Sequence, residues 1–307
     1  MSDDLSIEDI LETQAFFRLP SPALVEKDFY VVRALRAIAA TETAPLRFVF
    51  GGGTALGRAH RLLQRMSEDI DLKIVSDGPI ERSALRASRE ALIASLLNAG
   101  FEFDPDSEGH LKSRNASRHM LFRLPYKALT RGEAALRPNI QIEAGVWPLR
   151  RPTLDLPVSS FVAEAFKRTP EVARMACVSV TQTAAEKLVA LTRRTAAELA
   201  DANGPRDAAD IRHLYDLHII RGSYDVAEVA SLAQEIMPHD AKLFGHHFPA
   251  YRDDPMAETR RAIDALSTDK IYAERYAEFC RLMVFGEQPG YAEVLATVQA
   301  LAGRFQG

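Results

Sequence analysis

Hydrophobic positions along the chain alternate between two periods. From Ser21-Pro22, a cap followed by proline at the first helical position, Leu24, Phe29, Val32, Leu35 and Ile38 recur at helical spacing up to the break before Pro45. Leu46–Phe50 then reads as a short strand stopped by Gly51-Gly52-Gly53, and Thr54–Met66 as a helix-like segment. Ile70–Val75 alternates with period two, as a half-buried strand does. Residues 80–99 read as a helix closed by Gly100. Further strands are predicted at Phe101–Phe103, Met120–Tyr126 and Asn139–Ala144.

Past this point the pattern changes. Residues 147–160 hold three prolines and read as a linker or crossing loop. Beyond it the periodicity is helical. Thr183–Glu186 has a capping-box spacing that would open Lys187–Arg194, Asp207–Ile220 is amphipathic, and Met256–Phe305 reads as two helices split near residues 286–290. The fold class predicted is α+β: a mixed sheet with helices over residues 1–150, including N-terminal helices in 1–45, then an all-α domain over 151–307.

Length and composition agree with this division. The 307 residues suffice for two cores, and 47% apolar with 26% charged residues is ordinary for a globular chain. No stretch approaches the roughly 20 apolar residues of a membrane span, and no secretory signal is visible. The two cysteines, Cys177 and Cys280, are far apart and give no zinc spacing, so they read as buried thiols of a cytoplasmic protein. His60, His239, His246 and His247 likewise form no metal pattern. The net charge of −4 argues against a dedicated nucleic-acid binder.

Local charge tells a different story. Between Gly109 and Gly132 no acid occurs, while Lys112, Arg114, Arg118, Arg123, Lys127 and Arg131 do, with His110, His119, Phe122 and Tyr126 interleaved. Such a run suits phosphate contact and base stacking, or is simply a solvated basic face. Arg58, Arg61 and Arg65 have the spacing of one helix face beside the glycines.

The sharpest chemical signal is the pair of segments Phe48–Leu56 and Ser67–Leu72. A strand running through glycines into a helix N-terminus gathers unhindered N–H groups, a site for an anion such as phosphate. Asp69 and Asp71 are at i and i+2 of a strand, so their carboxylates share a side and repel unless a cation sits between them. Mg²⁺ with substrate phosphates is the usual such cation. Alone, the glycines would most often mark a turn, and Asp-x-Asp a solvated strand edge. Together, in this order, they lay out a nucleotidyl-transfer site.

These segments, Gly51-Gly-Gly-Thr-Ala-Leu56 and Ser67-Glu-Asp-Ile-Asp-Leu72, resemble the nucleotidyltransferase-like AbiEii/AbiGii toxin family of the DNA polymerase β-type superfamily. Val25–Tyr30 (with Glu26-Lys27-Asp28), Thr183–Leu191, Arg212–Leu217 and Leu282–Glu287 resemble further segments of the family. The resemblance implies that Gly52, Gly53 and Thr54 cradle the triphosphate, with Ser67 adding a hydroxyl. It implies Mg²⁺ on Asp69 and Asp71, with Glu143 the candidate third acid on a later strand. Lys187, by itself a surface lysine, becomes under the resemblance a phosphate-binding cation from the helical domain, which completes the active site. Asp216 becomes essential; a buried carboxylate there needs an arginine, metal or substrate hydroxyl as partner. His213 departs from the aspartate that many relatives carry, and Asp210 is three residues off register.

The function implied is a Mg²⁺-dependent transfer of NMP from an NTP to an acceptor hydroxyl by a toxin with a cognate antitoxin. The acceptor is a tRNA 3′ end in at least some members, and Arg58, Arg61, Arg114, Arg118 and Arg123 are the candidate RNA contacts. The alternatives are transfer to a small molecule or protein, or a non-catalytic interaction protein that keeps the fold.

Overall fold

A computed structural model describes residues 5–133, 136–201, 211–245 and 248–305. The chain divides into two compact units, residues 1–179 and 180–307.

The first unit is built on seven strands: β1 (Arg47–Gly51), β2 (Asp69–Val75), β3 (Leu111–Arg114), β4 (His119–Pro125), β5 (Asn139–Gly145), β6 (Leu154–Val158) and β7 (Val172–Cys177). They lie in the order β3-β4-β5-β2-β1-β7-β6. The sheet is mixed, with β2 parallel to β5 and antiparallel to β1. Its helices are α1 (Ile7–Phe17), α2 (Pro22–Ala39), α3 (Gly52–Arg58), α4 (Arg82–Asn98) and α5 (Phe161–Ala165). Ile70, Leu72, Ile74, Ile140, Ile142, Met120 and Phe122 pack with Val31, Leu35 and Ile38 of α2 and Leu85, Leu92 and Leu96 of α4. One face of the sheet makes this core; the other carries polar side chains and, at one end, a small buried cluster of Val49, Val75 and Val178.

Several expectations need correction. The proline-containing segment 147–160 is no linker: β6 lies within it, and the sheet continues to Cys177, so the division falls at 179/180 rather than near 150. Pro157 is tolerated because β6 is an edge strand, and the register slips between Leu156 and Val158. Phe101–Phe103 forms no strand; Phe101 and Phe103 are core residues in a loop. The helix after the glycines ends at Arg58, not Met66, so Arg61 and Arg65 are not on it.

In the second unit the described helices are α6 (Val180–Ala200), α7 (Arg212–Ile219), α8 (Val226–Phe244), α9 (Pro249–Asp253), α10 (Pro255–Thr268), α11 (Lys270–Met283) and α12 (Tyr291–Ala302). No strand occurs among its described residues. Thr183 is no cap, because α6 begins at Val180 and buries Thr183 in its second turn. The tail holds three helices, since Asp269 both ends α10 and caps Ile271 of α11. Asp210, His246 and His247 lie outside the described residues. No described helix is long and apolar enough to cross a membrane.

Candidate functional site

The glycine turn is dictated by space. Gly52 has φ +71°, and a β-carbon there would fall 1.8 Å from Asp71 Oδ2. One at Gly53 would fall 2.4 Å from an Arg65 guanidinium nitrogen and 2.9 Å from Ser67 Oγ. Glycine is thus required at 52 both for the left-handed backbone and for the approach of the Asp71 carboxylate. The turn and the acidic strand are one packed unit.

Thr54 ties that unit together. It is buried in α3, its hydroxyl donates to the Asp69 carbonyl (2.5 Å), and it is hydrogen-bonded to Ser67 Oγ (2.9 Å). The side chains of Thr54 and Ser67 therefore brace the loop before β2.

On β2, residues 69 and 71 are half-buried while Ile70 and Leu72 are buried, so the two carboxylates share the polar face. Parallel pairing sets Asp71 against Glu143 and Asp69 against Gln141. Antiparallel pairing continues that face from Glu143 to Leu121 and from Gln141 to Arg123, then from Leu121 to Lys112 and from His119 to Arg114. Three acids and, farther along, three cations thus lie on one side of the sheet. The acids offer only oxygen donors and three negative charges, which suits a hard divalent cation by chemistry. Among the described residues no three His, Cys, Asp or Glu side chains form a ready cluster around an ion, and the Asp69 carboxylate bonds to the Arg137 guanidinium.

The Glu26-Lys27-Asp28 triplet explains how this face is held. All three are buried in α2. Successive helical residues point about 100° apart, so each reaches a different segment. Glu26 accepts from the Leu129 N–H (2.5 Å), the Thr130 N–H (3.1 Å) and the Thr130 hydroxyl (2.5 Å). Lys27 donates to the carbonyls of Arg137 (2.8 Å) and Asn139 (2.5 Å) and pairs with Glu68 (3.0 Å), which uses all three ammonium protons. Burial lowers the Lys27 pKa, and Glu68 opposes that shift. Asp28 accepts from the Phe161 N–H (2.6 Å) and faces Arg58 at 3.5 Å. Burial raises its carboxyl to about 6 in spite of Arg58.

The cations separate into two groups. Arg58 is buried, with its guanidinium 3.8 Å from the centre of the Phe161 ring. Arg65 is buried and donates to the Met66 carbonyl (2.8 Å). Arg58 therefore presents no phosphate contact, which corrects that reading of it, whereas the Arg65 guanidinium lies against Gly53 of the glycine turn. Arg61 stays exposed beside Ser159 and Glu164. Arg114 and Arg118 are exposed and Arg123 is half-buried; Arg118 also donates to the Ile80 carbonyl (3.2 Å). Phe122 is a core residue, and the Tyr126 ring packs 4.5 Å from that of Tyr30, so neither ring is open to a base.

In the second unit, Lys187 on α6 and Asp216 on α7 find each other. Their charged atoms are 2.6 Å apart, with side-chain exposures of 7% and 0%, so the partner required by a buried Asp216 is a lysine. His213 Nδ1 lies 3.5 Å from the Lys187 ammonium. Burial first, and the Lys187 charge second, push the His213 pKa well below its ordinary value, so the ring is neutral. Residues that sequence reasoning missed are Glu68 and Arg137. Glu68 lay inside the motif, whereas Arg137 follows the basic run with no local mark.

A glycine turn locked beneath an Asp-x-Asp strand, with a further acid on the next strand, defines a nucleotidyltransferase. Residues 33–302 match the family model described as nucleotidyl transferase AbiEii toxin, type IV toxin–antitoxin system. The chain belongs to this family, the nucleotidyltransferase toxins of type IV toxin–antitoxin systems. Among solved structures it is similar to MenT4, a nucleotidyltransferase toxin of Mycobacterium tuberculosis H37Rv, at 19% identity and TM-score 0.47, over 79% of this chain and 71% of that one. The comparison with curated proteins returned no match.

Proposed function

We propose that the chain transfers a nucleoside monophosphate from an NTP to a hydroxyl of an RNA acceptor, with tRNA the class to test first and the cytoplasm as the compartment that supplies both. The observation that carries this reading is the strand register, which puts Asp69, Asp71 and Glu143 on one face beside the glycine turn. The acceptor oxygen forms a bond to the α-phosphorus, the bond to the pyrophosphate oxygen breaks, and the hydroxyl proton leaves to solvent or a carboxylate. Asp69, Asp71 and Glu143 would hold Mg²⁺, which when bound neutralises phosphate charge and lowers the pKa of the attacking hydroxyl. Gly52 and Gly53 admit the triphosphate close to the backbone, where N–H groups counter its charge. The family resemblance gives Lys187 a role on phosphate, and Asp216 orients its ammonium. The toxin assignment implies a cognate antitoxin.

The RNA reading is supported by Arg123, Lys112 and Arg114, which extend the acidic face toward the β3 edge. Polyanion binding through them depends steeply on salt. The test is incubation with each labelled NTP, magnesium and tRNA. Label is expected on tRNA with wild type, and not with Asp69→Asn/Asp71→Asn. Arg114→Glu/Arg123→Glu is expected to lose tRNA labelling by more than tenfold. Equal labelling by that variant would exclude these residues as RNA contacts and favour a small-molecule or protein acceptor. A cellular phenotype that survives the double Asp→Asn change would exclude catalysis as the function.

A further inference from the structure

Asp69 is a proposed cation ligand, yet its carboxylate bonds to the Arg137 guanidinium. Arg137 is not loosely placed. Its backbone N–H donates to Glu68 Oε2 (2.9 Å), and its carbonyl accepts from Lys27 (2.8 Å). Lys27 is itself fully buried and paired to Glu68. The result is a chain of alternating charge, Lys27, Glu68, Arg137, Asp69, anchored at one end in α2 and ending on the acidic face. The Arg137 backbone is therefore held at two points, while its side chain is 43% exposed and its guanidinium also lies 3.8 Å from Glu68 Oε1.

The reason for a cation here is electrostatic. Asp69, Asp71 and Glu143 share a face, and like charges at this spacing repel when no counter-charge is near. A guanidinium on Asp69 relieves that repulsion, but it also covers the oxygen a metal would use. Resting on the metal reading above, we propose that Arg137 is a placeholder cation: it occupies Asp69 in the metal-free enzyme and swings away when the divalent ion arrives. Glu68 and Lys27 are positioning residues that keep it within reach. Because the backbone is pinned, the exchange is a rotamer change, which exposed side chains make in picoseconds to nanoseconds, and no loop has to open.

The proposal predicts competition, which a merely structural arginine does not show. Mn²⁺ binding to the full chain without nucleotide is read from the electron paramagnetic resonance of free Mn²⁺. Arg137→Gln is expected to bind Mn²⁺ about fivefold more tightly than wild type, the scale set by a partly exposed ion pair. Arg137→Lys should fall between them, since an ammonium lacks the guanidinium fork. Arg82→Gln makes the same charge change at an exposed position of α4 and should bind like wild type. Unchanged or weaker binding by Arg137→Gln, with Asp69→Asn still losing Mn²⁺, overturns the placeholder and leaves the metal reading standing. Tightening in Arg82→Gln to the same degree also overturns it, because net charge then explains the effect. If wild type binds no Mn²⁺, or Asp69→Asn binds as well as wild type, the metal reading and this proposal fall together.

Discussion

Replacing Lys187 by methionine tests the reading of the second unit most directly. The substitution keeps most of the side-chain volume and removes the charge. Asp216, fully buried, then loses a partner at 2.6 Å. Removing one member of a buried pair typically costs about 3–5 kcal/mol, because a desolvated carboxylate is left behind. With a urea slope of at most about 3 kcal/mol per molar, the midpoint should fall by at least about 1 M. Lys187→Met/Asp216→Leu removes both charges and should recover most of the loss. The assay is urea unfolding of the full chain followed by far-ultraviolet circular dichroism, which reports the helices of both units. Trp147, the single tryptophan, lies in the first unit, and its fluorescence is a second probe of the unfolding. His213 adds a pH signature. In wild type, burial and then Lys187 keep it neutral. Without Lys187 one cause of that depression is gone while burial remains, so the pKa rises only part of the way back. A folded-state histidine pKa below the unfolded one costs stability as pH falls below about 6.5, and wild type, whose folded value is the lower, goes on losing stability further into acid. The Lys187→Met deficit should therefore narrow only well below pH 6.5, and the deficit of Lys187→Met/His213→Phe against His213→Phe should narrow less. A Lys187→Met loss below about 1 kcal/mol, or a double variant no better than the single, would refute the ion-pair argument.

Three further outcomes are expected. Gly52→Ala should abolish nucleotidyl transfer and cost at least about 1–2 kcal/mol, since the left-handed backbone is strained and the β-carbon displaces the Asp71 carboxylate; transfer assays and thermal melts check it. Asp28 titrates near 6 when folded and 3.8 ordinarily, so its ionisation makes wild type lose stability, by about 3 kcal/mol at most, as pH rises from 4 to 6. Asp28→Asn should lack that slope, and the difference between the two stability–pH curves isolates it from other carboxylates. Lys27→Met should cost about 2–4 kcal/mol, because Glu68 and the carbonyls of residues 137 and 139 lose their buried donor; an unfolding midpoint within experimental error of wild type would remove Lys27 from the frame of the site.

What the sequence reveals here follows from how local each signal is. β1, the glycines and β2 are contiguous, and period-two alternation alone puts Asp69 and Asp71 on one side. β5 is equally clear, because Ile140, Ile142 and Ala144 alternate around Glu143. The burial of Arg58 has no local mark, since it depends on Asp28, thirty residues earlier, and on Phe161, a hundred later. Arg137 is invisible for the same reason. β6 misleads because prolines are read as a break, while an edge strand accepts one where no ladder bond is required. The partner of Asp216 was legible as a need and not as an identity, for Lys187 reads by itself as a solvent-facing residue.

The triplet in α2 also bears on how this chain emerges from the ribosome. Glu26, Lys27 and Asp28 have hydrogen-bond partners at residues 129–130, 137–139 and 161, with the ionic partners Arg58 of Asp28 and Glu68 of Lys27 arriving sooner. At usual rates of synthesis the hydrogen-bond partners appear on the order of ten seconds later. Until then Glu26 has none of its partners, and Lys27 and Asp28 have only their ionic ones. The full pairing of α2 therefore needs β5 and α5, and is among the last features of the first unit that the growing chain can complete.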